Sequence, residues 1–371
     1  MAKKKTAPTI QANPVDKDRV HSVLHRLRRW YIAACDYALF LDAIPDQCVN
    51  LLWIDPPYFR KVPEWWDRLW VDEAAYREWL VQLIARVAPK LAINGSLYFF
   101  ASSELGAMVE CAVAEKFRVL NSITWAKSHA KLPPGDPRAT PLRVRDLEQS
   151  RSWVSFSERV VFAESMSPPE NPIAERVRAV RCAAGLSRDK LAVAIGRTVK
   201  DDPERGTGLV NRWEEGACTP SEEDWCRLFE VCGDTRTRAE LLAERSYLWT
   251  KYETTRRPFR APSHQYTDVW TYATALSDPT RHLCEKPRDM LIDVVNASSR
   301  SGDLVLDLFG GSFRMAEVAL EAGRHYLGCD IDPEWVARGF ARATAQENGT
   351  HAPVSPRKPK TSDERQGILL K

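Results

Sequence analysis

The sequence predicts an α/β fold: a doubly wound, mostly parallel sheet interrupted by an all-α insert. Three observations carry that expectation. The apolar run 49–54 stops at Asp55-Pro56-Pro57-Tyr58, as a buried parallel strand bounded by turn residues does. A second run, Leu304-Val305-Leu306, stops at Asp307-Leu308-Phe309-Gly310-Gly311 and leads into a helical stretch over 315–322. Between the two halves, a middle segment has helical periodicity and helix caps but no strand-like runs.

Taken in chain order, 20–29 reads as a short amphipathic helix leading to Trp30. The run 49–54 follows, and its carboxyl end is where the working groups of an open α/β sheet collect. There the chain offers a carboxylate, carbonyls on a stiff proline pair and an aromatic ring, a set that suits a flat amino group stacked on that ring. Trp65, Trp66 and Trp70 read first as packing residues, one of which lines a base pocket in the alternative reading. Over 72–88 the apolar residues Tyr76, Leu80, Leu83, Ile84 and Val87 share one helical face. Asn94-Gly95 reads as a turn before the strand Ser96-Leu97-Tyr98-Phe99-Phe100, then come a helix over 104–115 and a strand over 119–125. Lys127 and the loop 132–137 mark the exit from the sheet, and 154–163 returns as a strand containing Glu158.

The middle unit, 171–233, reads as helices over 173–184, 189–195, 208–216 and 221–231, capped by Ser187 and stopped by Gly185 and Gly196. A polar loop through Asp201-Asp202-Pro203 separates the second and third helices. Past it, the strand, glycine-rich turn and helix of 304–322 form a Rossmann-like nucleotide cradle, and Asp330 stands 19 residues after Gly311, near the spacing at which an acid meets ribose hydroxyls.

Composition adds bounds. The chain has 371 residues, room for one large domain and a smaller module, and no apolar stretch long enough to span a bilayer, so no membrane partner is expected. No hydrophobic segment follows Lys3-Lys4-Lys5, so no secretory leader is expected and the location reads as cytoplasmic. Nine cysteines without paired CxxC spacing read as reduced thiols and predict no metal site. No Pro-Cys dipeptide occurs, which sets aside cytosine-C5 chemistry. A net charge of +3 decides little, but basic residues cluster at Arg256-Arg257 and at Arg138, Arg143, Arg145 and Arg151, where phosphate contact is expected.

Asp55-Pro56-Pro57-Tyr58 resembles the catalytic signature of DNA amino-methyltransferases, which methylate the exocyclic nitrogen of adenine or cytosine. The glycine cradle resembles the S-adenosylmethionine site of the same enzymes, preceded, as in that family, by a histidine-to-Lys-Pro segment, His282-Leu283-Cys284-Glu285-Lys286-Pro287. Ala34-Cys35-Asp36 looks like the family's lead-in to the catalytic strand. Catalytic motif first and cofactor motif last is the order of the permuted beta class. The unit at 171–233 resembles a helix-turn-helix of the lambda-repressor/Cro type, with Leu191-Ala192, Ile195-Gly196 and Trp213-Glu214-x-Gly216 as landmarks.

The resemblance implies a site-specific methyltransferase that uses S-adenosylmethionine on double-stranded DNA. Adenine-N6 is the expected target. Cytosine-N4, or a catalytically impaired DNA-binding regulator on the same scaffold, are the alternatives. Asp55, Pro56, Pro57 and Tyr58 would carry catalysis. Asp36, Lys286, Pro287, Asp307, Phe309, Gly311, Ser312 and Asp330 would hold the cofactor, and Lys127, Thr207, Asn211, Arg212, Arg256 and Arg257 would contact DNA. Base readout would fall to Thr207, Asn211 and Arg212 at the recognition helix. A homodimer and a cognate restriction nuclease are further partners the family leaves open. The expected division is a basic disordered arm (1–18), a catalytic half (19–165), the helix-turn-helix insert (166–236), the rest of target recognition (237–280), a cofactor half (281–345) and a disordered tail (346–371). One departure stands out: the cofactor loop continues Ser312-Phe313-Arg314-Met315, with a bulky ring where the family has glycine and Arg314 and Met315 in place of a hydroxyl pair. Arg314 would then hold the cofactor's carboxylate.

Overall fold

The computed structural model describes residues 15–62, 64–127, 157–263, 266–273 and 284–349. The basic arm up to residue 14, the tail from 350, the loop 132–137, the arginines at 138, 143, 145 and 151, and the His282-Leu283 pair lie outside the described residues.

Helix α1 (Lys17–Leu24) precedes β1 (Trp30–Ala34), α2 (Tyr37–Leu41), β2 (Val49–Ile54), α3 (Glu73–Val87), β3 (Leu91–Ser102), α4 (Gly106–Ala114), β4 (Phe117–Ala126) and β5 (Ser157–Ser165). The middle unit contributes α5 (Pro172–Ala183), α6 (Arg188–Ala194), a hairpin of β6 (Thr198–Val199) and β7 (Asp202–Gly206), α7 (Leu209–Glu214), α8 (Glu222–Val231) and α9 (Arg238–Thr255). The chain ends with β8 (Val269–Trp270), α10 (Arg288–Ser298), β9 (Leu304–Asp307), α11 (Arg314–Glu321), β10 (His325–Asp330) and α12 (Pro333–Glu347).

The large sheet has the order β1-β10-β9-β2-β3-β5-β4-β8. It is parallel from β1 to β3, antiparallel at β3–β5 and β5–β4, and parallel again at β4–β8. Strands β9 and β2, 250 positions apart in sequence, are direct neighbours, with Leu51 opposite Val305, Leu52 opposite Leu306 and Trp53 opposite Asp307. Their carboxyl ends, Asp55 and the glycine turn, therefore open on the same edge of the sheet.

Alternation along these strands explains the two layers. Leu52, Ile54, Leu304 and Leu306 face one side and pack with Phe40, Leu80, Leu83, Ile84, Val87, Val109 and Val113 from α2, α3 and α4. Leu51, Trp53 and Val305 face the other and pack with Met290, Val294, Val295, Val318 and Leu320 from α10 and α11. Each strand is thus buried on both faces, which is why its sequence reads as an unbroken apolar run.

Two local expectations are corrected. Asn94-Gly95 lies inside β3 and is not a turn: the ladder with β2 slips between Val49 and Leu51, and a Cβ on Gly95 would strike Leu91 and the Val49 carbonyl. The glycine serves close strand packing at an irregularity. The polar stretch between α6 and α7 is a short antiparallel hairpin, Thr198 opposite Gly206, and a Cβ on Gly206 would strike Ala192 and Asp189 of α6.

The helices of the middle unit share a core of Ile173, Val177, Leu191, Ile195, Val210, Trp213, Trp225, Phe229 and Leu241. Leu241 belongs to α9, whose start is fixed by a capping box between Thr237 and Glu240, and the Trp225 indole donates to the Leu241 carbonyl at 2.9 Å. Buried Glu214 ties the bundle together, accepting from Arg181 at 2.5 Å and Arg188 at 2.6 Å.

Candidate active site

Strand ends β2 and β9 open into a cavity of about 490 Å³ lined, among others, by Asp36, Asp55, Tyr58, Glu158, Lys286, Phe309, Gly311 and Asp330. On its β2 side four charged groups and a phenol converge. The Tyr58 hydroxyl donates to Asp55 Oδ1 at 2.7 Å and lies 3.0 Å from Glu158 Oε2. Lys286 Nζ donates to Asp55 Oδ1 at 2.7 Å, stands 2.6 Å from Oδ2, and is 3.3 Å from Glu158 Oε2. Lys127 closes the set with Glu158 Oε1 at 2.5 Å. The ammonium of Lys286 also sits over the rings of Tyr58, Phe100 and Trp125.

Burial and pairing set the charges. Burial pushes the Asp55 carboxyl above its ordinary value against the pull of Lys286. Burial alone would lower Lys286, but Asp55 and Glu158 outweigh it and hold the ammonium above its ordinary value. For Glu158 burial is likewise the largest influence, yet Lys286 and Lys127 overcome it and hold the carboxylate low.

The β9 side carries acids without a lysine. Asp307 accepts from the Tyr326 hydroxyl at 3.1 Å and the Phe309 N–H at 3.3 Å, and burial pushes its carboxyl up to about 7. Asp330 accepts from the N–H of Gly311 at 2.7 Å and of Asp332 at 2.9 Å, and burial raises it to about 6. Asp36 caps α2 through the Ala38 N–H at 2.7 Å. Phe309 packs between Tyr37 and Trp79, Ser312 is buried in the turn, and Pro287 starts α10.

Lys286, expected at the cofactor, pairs with Asp55 in the shared cavity, and Lys127, expected on DNA, pairs with Glu158 at the cavity wall. Arg257 is committed to the fold: it pairs with Glu164 at 2.8 Å and donates to the carbonyls of Ser165 and Ser167. Arg256 forms a two-pronged pair with Glu253. The Thr207 hydroxyl is buried without a hydrogen-bond partner. Asn211 donates to Glu215 at 2.8 Å, and Arg212 is exposed.

Phe313, the departure in the cofactor loop, is accommodated by the fold. It adopts the left-handed conformation, φ 53°, and its ring is fully buried, turned away from the cavity. A Cβ on Gly310 or on Gly339 of α12 would run into that ring. The glycine missing at 313 is balanced by glycines at the two places where the ring lands. Arg314 lines the cavity but pairs with Glu285 at 3.0 Å and Glu317 at 2.8 Å.

Glu158 is the residue that sequence reasoning placed in a strand without giving it a role. Its signal was a lone carboxylate within an apolar strand run, and the β5–β4 and β5–β3 ladders set it opposite Trp125 and Ser102 at the strand ends.

The family model for N6/N4 methyltransferases, described as DNA methylase, matches residues 49–340. The DNA adenine methyltransferase YhdJ of Escherichia coli K12 is 33% identical over 312 residues, 81% of this chain and 78% of its own. The type II methyltransferase M1.MboII of Moraxella bovis is 47% identical over 55 residues, 15% of this chain and 21% of its own. Among solved structures, the cytosine-N4-specific PvuII DNA methyltransferase aligns with TM-score 0.49 at 13% identity, over 85% of this chain and 86% of that one. With a family match across most of its length and a relative of this extent, the chain belongs to the N6/N4 DNA methylase family.

Proposed function

We propose that the chain transfers a methyl group from S-adenosylmethionine to the N6 amino group of an adenine flipped out of duplex DNA. The observation that carries this reading is the shared cavity: Asp55 and the Gly311 turn reach it from adjacent strands, with Trp53 opposite Asp307. Similarity to an adenine methyltransferase over most of both chains favours adenine over cytosine.

The residues present fit the donor. The turn bares Gly310 and Gly311 to the cavity, Phe313 is folded out of the way, and the Asp36 and Asp330 carboxylates stand among the aromatic residues Tyr37, Phe309 and Trp335. Asp330 braces the turn through Gly311 and would hold the ribose hydroxyls, and Asp36 would hold the adenine end. When bound, S-adenosylmethionine supplies the activated methyl group.

The chain's own residues do the rest. A base inside a duplex cannot enter the cavity, so it is extruded at a cost of about a few kcal/mol. Tyr58 stacks on it, Asp55 and the Pro56 carbonyl accept the two amino hydrogens, and Pro57 stiffens the turn that carries them. This holds the nitrogen lone pair towards the donor, and most of the acceleration is positioning and electrostatics. Incubating the chain with methyl-labelled donor and unmethylated DNA, then digesting to nucleosides, should place the label in N6-methyladenine. Label in N4-methylcytosine would move the target, and no label in either would sink the proposal.

The helical unit is the proposed second DNA contact, with Arg212 on α7 as its support: it is exposed, on the helix that the repressor-like arrangement would aim at the major groove. Arg212→Ala should lower the salt dependence of DNA binding by about one unit of slope. An unchanged slope would remove Arg212 from the interface.

A further inference from the structure

The seat proposed for the target's amino group is already filled by a side chain of the protein. Lys286 Nζ lies 2.7 and 2.6 Å from the two oxygens of Asp55, donating there as the amino group of a base would. The Tyr58 hydroxyl takes a further lone pair of Oδ1. For a base to bind Asp55, this ammonium has to turn away, and its side chain is only 6% exposed, so the turn cannot end in bulk water. A buried ammonium that loses its counter-ion without gaining another is strongly disfavoured.

Glu158 supplies the other anion, 3.3 Å from Lys286 Nζ and joined to Asp55 through the Tyr58 hydroxyl. Lys127 neutralises the opposite oxygen of Glu158, so the cluster of Asp55, Glu158, Lys286 and Lys127 is balanced, two charges of each sign. During transfer, positive charge develops on the target nitrogen. With Glu158 in place that charge meets a neutral cluster centred on Asp55. Without Glu158 it meets two ammonium groups and one carboxylate in a site of low dielectric.

Resting on the functional reading above, we propose that Glu158 is a positioning residue of the transfer step, the second carboxylate of the target seat, which draws Lys286 off Asp55 as the base arrives. It acts through Lys286 and Tyr58 and does not touch the reacting atoms.

The test is a set of three variants of the full-length chain. Glu158→Gln should lower kcat about a hundredfold, the scale of losing one preorganised electrostatic partner. Its KM for DNA should stay within about threefold of the native value. Base extrusion, read by 2-aminopurine fluorescence at the target position without methyl donor, should persist in this variant. Glu158→Asp, which keeps the charge, should recover at least about tenfold of the lost rate, whereas Glu158→Gln combined with Lys127→Met, which restores neutrality but leaves Lys286 no second anion, should recover less than about threefold. A Glu158→Gln variant that turns over within about threefold of the native rate overturns the inference. So does a double variant that regains most of the native rate, or a loss that appears wholly as lost extrusion. If the native chain itself transfers no methyl group, the functional reading falls and this inference with it. Native turnover beside an indifferent Glu158→Gln sinks the inference alone.

Discussion

Two acids, half-buried Asp55 and buried Asp307, end neighbouring strands of one sheet, and their surroundings could hardly differ more. Asp55, after β2, is clasped by an ammonium and a phenol, with a second carboxylate and a second lysine behind them. Asp307, at the end of β9, has a phenol and one backbone N–H, and its neighbour across the turn, Asp330, has two backbone N–H groups. On the β2 side cations balance anions. On the β9 side burial is answered by a weaker acidity, with carboxyls raised to about 7 and about 6. The difference matches two kinds of visitor. A neutral amino group must displace partners and needs somewhere for them to go. A cationic donor can meet acids that ionise as it binds.

If the two sides are separable, the largest effect belongs to Asp55. Asp55→Ala should lower methyl transfer at least about a thousandfold, while donor affinity, measured by calorimetry, and DNA affinity stay near native. Normal turnover would refute the catalytic assignment. Loss of donor binding would show that the two halves of the cavity are one electrostatic unit.

On the β9 side the sharpest perturbation is steric. Gly339 lies in α12, where alanine is ordinarily the better helix former, yet its added methyl meets the buried ring of Phe313. Gly339→Ala should therefore destabilise the chain by about 1–3 kcal/mol, read from chemical denaturation. Combined with Phe313→Leu, which trims the ring, it should cost less than the sum of the two single changes. Additive costs would mean that ring and glycine are not coupled, and the accommodated loop would lose its explanation.

That pair also shows what the sequence made legible and what it hid. The two motif-bearing strand ends, their adjacency and the shared edge were readable, because each is a local pattern of apolar run, turn residues and acid. Phe313 read only as a departure from the family loop, because its compensation lies in another helix at Gly339. The cluster around Asp55 was hidden for a similar reason: Lys286 is 231 positions away and Glu158 is 100 positions from Tyr58, and only the antiparallel turn of β5 and the start of α10 bring them together. At Arg257 the sequence hid the reverse, since a basic pair in a linker reads as a phosphate contact and gives no sign of Glu164 and the three carbonyls around it.

A smaller effect separates the two sides by pH. The carboxyls of Asp307 and Asp330 are raised from 3.8 to about 7 and about 6, so below those values in the free protein they take up protons that a cationic donor would rather see gone. Donor affinity should rise with pH through that window and weaken below it, by at most about tenfold per unit for each group. Without donor the sign for stability is reversed. The folded state binds protons more tightly than the unfolded chain, so the free protein should lose stability as pH rises from about 4 to about 7. Asp307→Asn should flatten that decline. A donor affinity that does not vary between pH 5 and 8 would place neither acid near the ligand.

The smallest effect expected is at Arg314, the residue whose charge first suggested a grip on the donor's carboxylate. Its guanidinium lines the cavity but is engaged by Glu285 at 3.0 Å and Glu317 at 2.8 Å. To clamp a ligand carboxylate in two-pronged fashion it would have to abandon one of them, leaving a buried acid short of a partner. Removing it leaves those acids with others: Arg342 is 3.6 Å from each, and Arg288 is 3.2 Å from Glu317. Arg314→Ala should therefore weaken donor binding less than about threefold, the scale of a partly exposed and already satisfied charge. A loss above about thirtyfold, some 2 kcal/mol, would mean that the guanidinium leaves its partners for the ligand, and the β9 side would then also work by exchange of partners.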